Sequence, residues 1–267
     1  MSTLKELSDL SGRRALITGA TGGLGKVFAD TLAELGADLS LVDLPGSDFQ
    51  TINEDLIKRW GVSIENHICD LEDQIERTGL IEKLLSSGLG LNILINNAAI
   101  VGASDLPGWS VPFEDQSIDT WRRALEINLT AVFDLCKGLA PLLESSKNGS
   151  IVNIASIYGM FGPDWSLYKG TSMSNPAAYG ASKGGLIQLT RWLATTIAPE
   201  VRVNAISPGG IFRNQPEEFV KRYEDKTPLG RMANEEDFRG VIAYLSSDMS
   251  RYVTGVNMVI DGGWGVW

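Results

Sequence analysis

The sequence predicts an α/β fold built on one doubly wound parallel sheet of about seven strands with helices on both faces. Two observations predict it. Short apolar runs alternate with longer amphipathic segments along all 267 residues, the order that right-handed β–α–β crossovers impose on a parallel sheet. Runs such as NILIN at 92–96 and SIVNIA at 150–155 are apolar on both faces, as strands between two helix layers should be. Taken in order, strands are expected at 15–18, 39–42, 67–69, 92–96, 151–155, 202–206 and 257–260. Helical patterns lie near 24–35, 50–60, 72–86, 116–145, 177–198 and 234–247. No repeat or linker divides the chain, so 1–267 reads as a single domain with a short N-terminal extension over 1–11. Two stretches, 159–176 and 208–230, are rich in Gly, Pro and Ser and read as loops. Loops of that length in a compact domain are usually functional.

Composition narrows the function classes. The net charge is −10, and no more than two Lys or Arg are adjacent anywhere. A nucleic-acid surface carries a basic patch, so no nucleic-acid partner is expected. The first ten residues lack an apolar core, and no run approaches the roughly 18 apolar residues of a membrane span. The expectation is a cytoplasmic protein with no membrane partner. Cys69 and Cys136 are only two and far apart, which fits reduced thiols rather than a disulfide framework. No metal site is expected.

Thr18-Gly19-Ala20-Thr21-Gly22-Gly23-Leu24-Gly25 follows the first strand and opens the first long helix. Glycines there allow a tight turn and let the backbone approach a pyrophosphate, which the free N–H groups and positive dipole end of the helix then hold. Strand before and helix after make this a Rossmann-type dinucleotide turn, with Gly19, Thr21, Gly22, Gly23, Leu24 and Gly25 as its contacts. Asp43 ends the second strand, where a carboxylate accepts from the ribose hydroxyls of adenosine. It would repel a 2′-phosphate, and no Arg or Lys lies between Lys26 and Lys58 to attract one. NAD is therefore expected over NADP. Asp70 and Leu71, after the third strand, are candidates for the adenine edge. Asp70 reads equally well as a turn residue.

At the other end of the crevice, Asn97, Ala98 and Ala99 follow the fourth strand and Ser156 closes the fifth. Strand C-termini in an open α/β sheet face the ligand crevice. Asn128 sits mid-helix, where Asn disturbs the backbone ladder. Tyr179 and Lys183 share a helix face one turn apart. A free tyrosine is ionised to only about one part in a thousand at pH 7. A neighbouring ammonium lowers its pKa, which suits a general acid or base. The pair alone is a weak signal.

Together these motifs resemble the short-chain dehydrogenase/reductase family over roughly residues 12–263: TGATGGLG at 18–25, Asp70, NNAA at 96–99, Asn128, Ser156, YGASK at 179–183, SPGGI at 207–211 and VIDGG at 259–263, in the family's order. The resemblance implies an NAD(P)-dependent oxidoreductase acting on CH–OH groups. Tyr179 would be the acid/base on the substrate oxygen, and Lys183 would lower its pKa and hold the nicotinamide ribose. Ser156 would steady the substrate oxygen, Asn128 would position a water, and Pro208, Gly209 and Ile211 would meet the nicotinamide. It also implies a homotetramer or dimer, with the 116–145 and 177–198 helices packed across a two-fold axis.

Two departures from the family pattern concern the substrate. Ser156 and Tyr179 are 23 residues apart, more than the family usually places between them, so 161–177 is extra and brings Tyr168 as a candidate substrate contact. Arg213 replaces a frequent Thr and is a candidate for a substrate phosphate or carboxylate. The segments SLYKGTSMSNPAAYGASKGG and GGIFRNQPEEFV look similar to dehydrogenases of bacterial surface-sugar and flagellin-glycan pathways, which implies a polar, sugar-like substrate and a role in carbohydrate metabolism. The remainder, including TPLGRMAN and YVTGVNMVIDGG, also looks like the 3-oxoacyl-[acyl-carrier-protein] reductases. A non-catalytic NAD-binding module is the third reading, and the intact Asn128, Ser156, Tyr179 and Lys183 set argues against it.

Overall fold

The computed structural model describes residues 1–102, 104–146 and 148–267. Its seven strands are β1 (Arg14–Thr18), β2 (Asp38–Asp43), β3 (Ile64–Ile68), β4 (Ile93–Asn96), β5 (Gly149–Ile154), β6 (Val201–Pro208) and β7 (Asn257–Ile260). They form one sheet in the order β3-β2-β1-β4-β5-β6-β7, and every pair is parallel. The helices are α1 (Leu4–Ser8), α2 (Gly23–Glu34), α3 (Phe49–Trp60), α4 (Gln74–Ser86), α5 (Ile118–Leu125), α6 (Ala131–Ser145), α7 (Ala177–Thr196), α8 (Glu217–Lys226) and α9 (Arg239–Ser246). The chain runs outward from β1 to β2 and β3, then returns to start again at β4. The crevice above the β1 and β4 C-termini is thus the switch point where such sheets bind ligands.

Strand side chains alternate between two cores, as the pleat requires. Ala15 and Ile17 of β1, Leu39 and Leu41 of β2, and Ile93 and Ile95 of β4 face α2, α3 and α9 through Phe28, Leu32, Leu56 and Ile242. Leu16, Val42 and Leu94 face the opposite layer, against Leu84, Leu139 and Leu186. Burying each such side chain stabilises by about 1.5–3 kcal/mol.

Four expectations need correction. The third strand begins at Ile64, three residues before the expected start. It is an edge strand carrying Glu65 and Asn66, so its sequence lacks an apolar run. The 116–145 helix is split by a π turn over Glu126–Thr130, the ladder defect that Asn128 signalled. The 208–230 stretch contains α8, ten residues long and polar on its outer side, bracketed by Pro216 and Pro228. The expected 234–247 helix opens as a 3₁₀ turn over Glu235–Phe238 before α9.

The extra segment at 161–177 forms no helix or strand longer than a turn, yet it is packed. Leu167 and Tyr168 join Phe219, Tyr223 and Trp264 in a third apolar cluster. Asp164 pairs with Lys226 of α8, and Trp267 Nε1 donates to the Lys226 carbonyl at 2.8 Å. The segment, α8 and the C-terminus are thereby bolted into one wall. Among the described residues, no helix is long and apolar enough to cross a membrane.

Candidate active site

The glycine turn is as tight as its sequence demands. Gly19 has φ +62, which favours glycine. A Cβ on Gly25 would stand 2.1 Å from the Gly19 carbonyl oxygen, and one on Gly19 would stand 2.9 Å from Ala98 Cα. Leu24 is buried beside it in the core. The N-terminus of α2 has no side-chain cap and no acid in its first turn. Its orphan N–H groups are thus free for an anion, so the residues present fit a dinucleotide's phosphates. Asn97 locks the turn to β4. Its Nδ2 donates to the Thr18 and Gly19 carbonyls at 2.9 and 3.0 Å. The Thr18 hydroxyl accepts from the N–H groups of Asn97 and Ala98, both at 3.0 Å. Thr18 belonged to the quoted motif, but its bracing role was not read from it. Ala99 follows, half-buried, at the same crevice edge.

Asp43 faces that turn. Its Oδ2 accepts from Thr21 N and Thr21 Oγ1, both at 2.8 Å, and its Oδ1 from Leu44 N at 2.9 Å. Three of a carboxylate's roughly four acceptor sites are engaged, so receiving two ribose hydroxyls requires the Thr21 hydroxyl to rotate away. Asp70 serves its own turn: Oδ1 accepts from Glu72 N at 2.9 Å. Leu71 is buried in the second core, and its carbonyl accepts from Arg77 at 2.6 Å.

Ser156 begins a 3₁₀ turn just beyond β5, and its Oγ accepts from Tyr158 N at 3.2 Å. The hydroxyl hydrogen stays available to donate. This turn presses on α7 because glycines permit it. A Cβ on Gly159 would stand 2.7 Å from the Lys183 carbonyl carbon, and one on Gly180 would stand 3.1 Å from the Tyr158 carbonyl. Those contacts bring Ser156 to Tyr179, whose phenol feels the serine as a hydrogen-bonding neighbour. Neither glycine was singled out from the sequence.

The electrostatics correct an expectation. Burial pushes the Tyr179 pKa above its ordinary value, and the opposing pull comes from Ser156 and then Arg213, not Lys183. Lys183 is itself buried and pushed down to about 7 by desolvation. Its Nζ donates to the Ile154 carbonyl at 2.6 Å and lies 5.9 Å from the Tyr179 ring centre. With its charge only partly present near neutral pH, it does not acidify the phenol.

Asn128 is a brace. Oδ1 accepts from Ile100 N at 2.8 Å, and Nδ2 donates to Ile100 O at 3.0 Å and Ser182 Oγ at 3.1 Å. Ser182 in turn donates to the Tyr179 carbonyl at 2.9 Å. Both amide hydrogens are engaged, which leaves an Oδ1 lone pair for a water.

Pro208 ends β6, and Gly209 follows with its N–H donating to the Ile260 carbonyl at 2.9 Å. Phe212 N donates to Ala233 O at 2.8 Å and Ala233 N to Gly210 O at 2.9 Å, so the N–H and carbonyl of Ile211 point the other way. Tyr223 OH accepts from Gly210 N at 2.5 Å and fills the space a Cβ there would need. No motif pointed to Tyr223.

Both candidate substrate residues are near enough to Tyr179 to act on its phenol. Tyr168 is buried, its hydroxyl 2.8 Å from Tyr158 OH and 3.3 Å from Asn175 Nδ2. It lines the wall near Tyr179 rather than reaching out. Arg213 pairs with Glu235 at 3.2 Å and lies over Gly23 of the glycine turn. Cys69 and Cys136 are buried, with burial raising their thiols to about 11 and about 12, so neither is a ready nucleophile.

The glycine turn is open to an anion, and the Ser156 turn packs on α7 at Tyr179 and Lys183. The family model described as enoyl-(acyl carrier protein) reductase matches residues 19–265. The 2,5-dichloro-2,5-cyclohexadiene-1,4-diol dehydrogenase of Sphingobium indicum is 32% identical over 262 residues, 96% of this chain and 98% of that one. A short-chain dehydrogenase from Leptospira borgpetersenii, solved with bound NAD+, is 32% identical with a TM-score of 0.84, covering 99% of this chain and 97% of that one. An NAD+-bound xylitol dehydrogenase is 29% identical with a TM-score of 0.83, covering 95% of this chain and 99% of its own. The chain belongs to the short-chain dehydrogenase/reductase family.

Proposed function

We propose that this protein interconverts a secondary alcohol and a ketone on a polar, sugar-like substrate, with NAD as its dinucleotide. The carrying observation is the close packing of the Ser156 turn on α7 at the turn that holds Tyr179 and Lys183. Gly19, Thr21, Gly22, Gly23, Leu24 and Gly25 would hold the phosphates. Asp43 would hold the ribose, and Ile211, Pro208 and Gly209 would line the nicotinamide end. When bound, the nicotinamide accepts or supplies the hydride at C4.

The chain's own groups handle the oxygen. In the reducing direction Tyr179, which keeps its proton through neutral pH, gives it to the substrate oxygen, while the Ser156 hydroxyl donates to the same atom and steadies its charge. In the oxidising direction the phenol must first lose its proton to solvent, and the Tyr179 phenolate then takes the proton from the alcohol. Lys183, poised near 7, can exchange a proton with its surroundings. Asn128 keeps α7 and the loop at Ile100 in register, which fixes the position of Tyr179.

Asp43 supports NAD, since a 2′-phosphate would meet its charge. The diol and polyol in the names of two relatives support a substrate with more than one hydroxyl. Trp192 on α7 and Phe133 on α6 are half-exposed and support a homo-oligomer that covers them. The two free, buried thiols fit a reducing, cytoplasmic setting. The test is fluorescence titration with NADH and NADPH, then turnover over a panel of sugars, sugar phosphates, polyols and simple ketones. Tighter NADH binding and turnover of polyhydroxylated members are expected. Preference for NADPH, or turnover confined to simple ketones or acyl thioesters, contradicts the proposal.

A further inference from the structure

The geometry points to Arg213 as a positioning residue for the dinucleotide's pyrophosphate, held by Glu235 across the mouth of the glycine turn until the dinucleotide arrives. The inference rests on the reading of that turn as the cofactor site. Gly23 is the first residue of α2. A Cβ placed on it would meet Glu235 Oε1 at 2.8 Å and Arg213 Nη2 at 2.9 Å. The ion pair therefore lies directly on the helix end whose N–H groups would receive a phosphate.

A guanidinium over the positive end of a helix is poorly placed by itself, and Glu235 offsets that at 3.2 Å through Arg213 Nε. An anion set down on the α2 N-terminus satisfies the helix and the guanidinium together. It replaces Glu235 with a partner that Arg binds through a planar, two-pronged fork. Arg213 is half-exposed, with room to make the exchange.

The loop behind it is built to aim. Gln215 Oε1 accepts from Arg213 N at 2.7 Å, and Gln215 Nε2 donates to Ile211 O at 2.8 Å. Asn214 between them has φ +58, the one non-glycine residue in the left-handed region among the described residues. The bridge between Ile211 and Ala233 anchors one end of this bracket. Arg213 spans the short distance from this bracket to the glycine turn.

The experiment measures binding without turnover. NADH, ADP-ribose and adenosine are titrated into wild type, Arg213→Ala, Arg213→Lys and Glu235→Gln at low and high salt. Arg213→Ala is expected to weaken NADH and ADP-ribose about tenfold and leave adenosine unchanged, with a reduced salt dependence. Arg213→Lys should fall between, because an ammonium supplies charge without the fork. Glu235→Gln should tighten both phosphate-bearing ligands about threefold, since a competitor is removed. Wild-type affinity for ADP-ribose in Arg213→Ala, or weakened affinity in Glu235→Gln, overturns the inference while leaving the cofactor site standing. A wild type that binds neither NADH nor ADP-ribose overturns the cofactor-site reading and this inference with it.

Discussion

Lys183 and Tyr179 stand one turn apart on α7, with the lysine nitrogen 5.9 Å from the tyrosine ring centre and turned onto the Ile154 carbonyl. The pair is close, but burial dominates both members: the phenol is raised and the ammonium lowered. Desolvation outweighs a pairwise attraction whenever the charge that would attract is itself disfavoured.

That balance has a consequence for stability. The folded value for Lys183, about 7, lies below its unfolded value of 10.5. Between those two limits the unfolded chain binds more protons, so this residue's contribution improves as pH rises through the window. Below pH 7 both states carry the proton and the full penalty stands. Lys183→Met should therefore be more stable than the wild type at pH 6, by about 1–3 kcal/mol, with the gap closing towards pH 10. Urea melts at pH 6, 8 and 10 check this; a gap that widens with pH contradicts it.

The raised phenol predicts a titration. Without dinucleotide, Tyr179 should ionise only above its ordinary value near 10. The phenolate absorbance of wild type minus Tyr179→Phe should stay flat from pH 6 to about 9. A transition near neutrality in that difference would restore Lys183 as the acidifying group.

Asn128→Ala removes three hydrogen bonds and leaves the buried N–H and carbonyl of Ile100 without their partner. A loss of about 2–4 kcal/mol is expected. A loss below about 1 kcal/mol would mean that water replaces the amide and that Asn128 braces little.

Asp43 braces Thr21, and in the proposed reading it would also hold the ribose. Asp43→Ala should weaken NADH about tenfold and narrow or reverse the preference over NADPH. Thr21→Val keeps the carboxylate and removes one of its partners, and should leave the preference intact. Equal loss of NADH and NADPH in Asp43→Ala would show that the residue only shapes the turn.

Much of this was legible in the sequence because the chemistry allows few residue types. A turn that folds onto itself at 2.1 Å admits only glycine, and a parallel sheet between helix layers needs doubly apolar strands. That Ser156, Tyr179 and Lys183 would lie close together was legible through the family resemblance. What was not legible depends on packing. Whether Lys183 carries its charge is set by burial from β5, far away in the chain. Where Arg213 points is set by Glu235, 22 residues later. The helix at Glu217–Lys226 is mostly polar and lies between two prolines, so its sequence looks like loop until Phe219 and Tyr223 find the aromatic wall.

The central claim is that Tyr179 carries the proton for a hydride transfer next to a bound dinucleotide. The direct test is Tyr179→Phe, with NADH binding and turnover measured side by side on a substrate that the wild type converts. NADH affinity within about twofold of wild type, with turnover reduced about a thousandfold, is the predicted result. Retained turnover in that variant, with the dinucleotide still bound, would contradict the account.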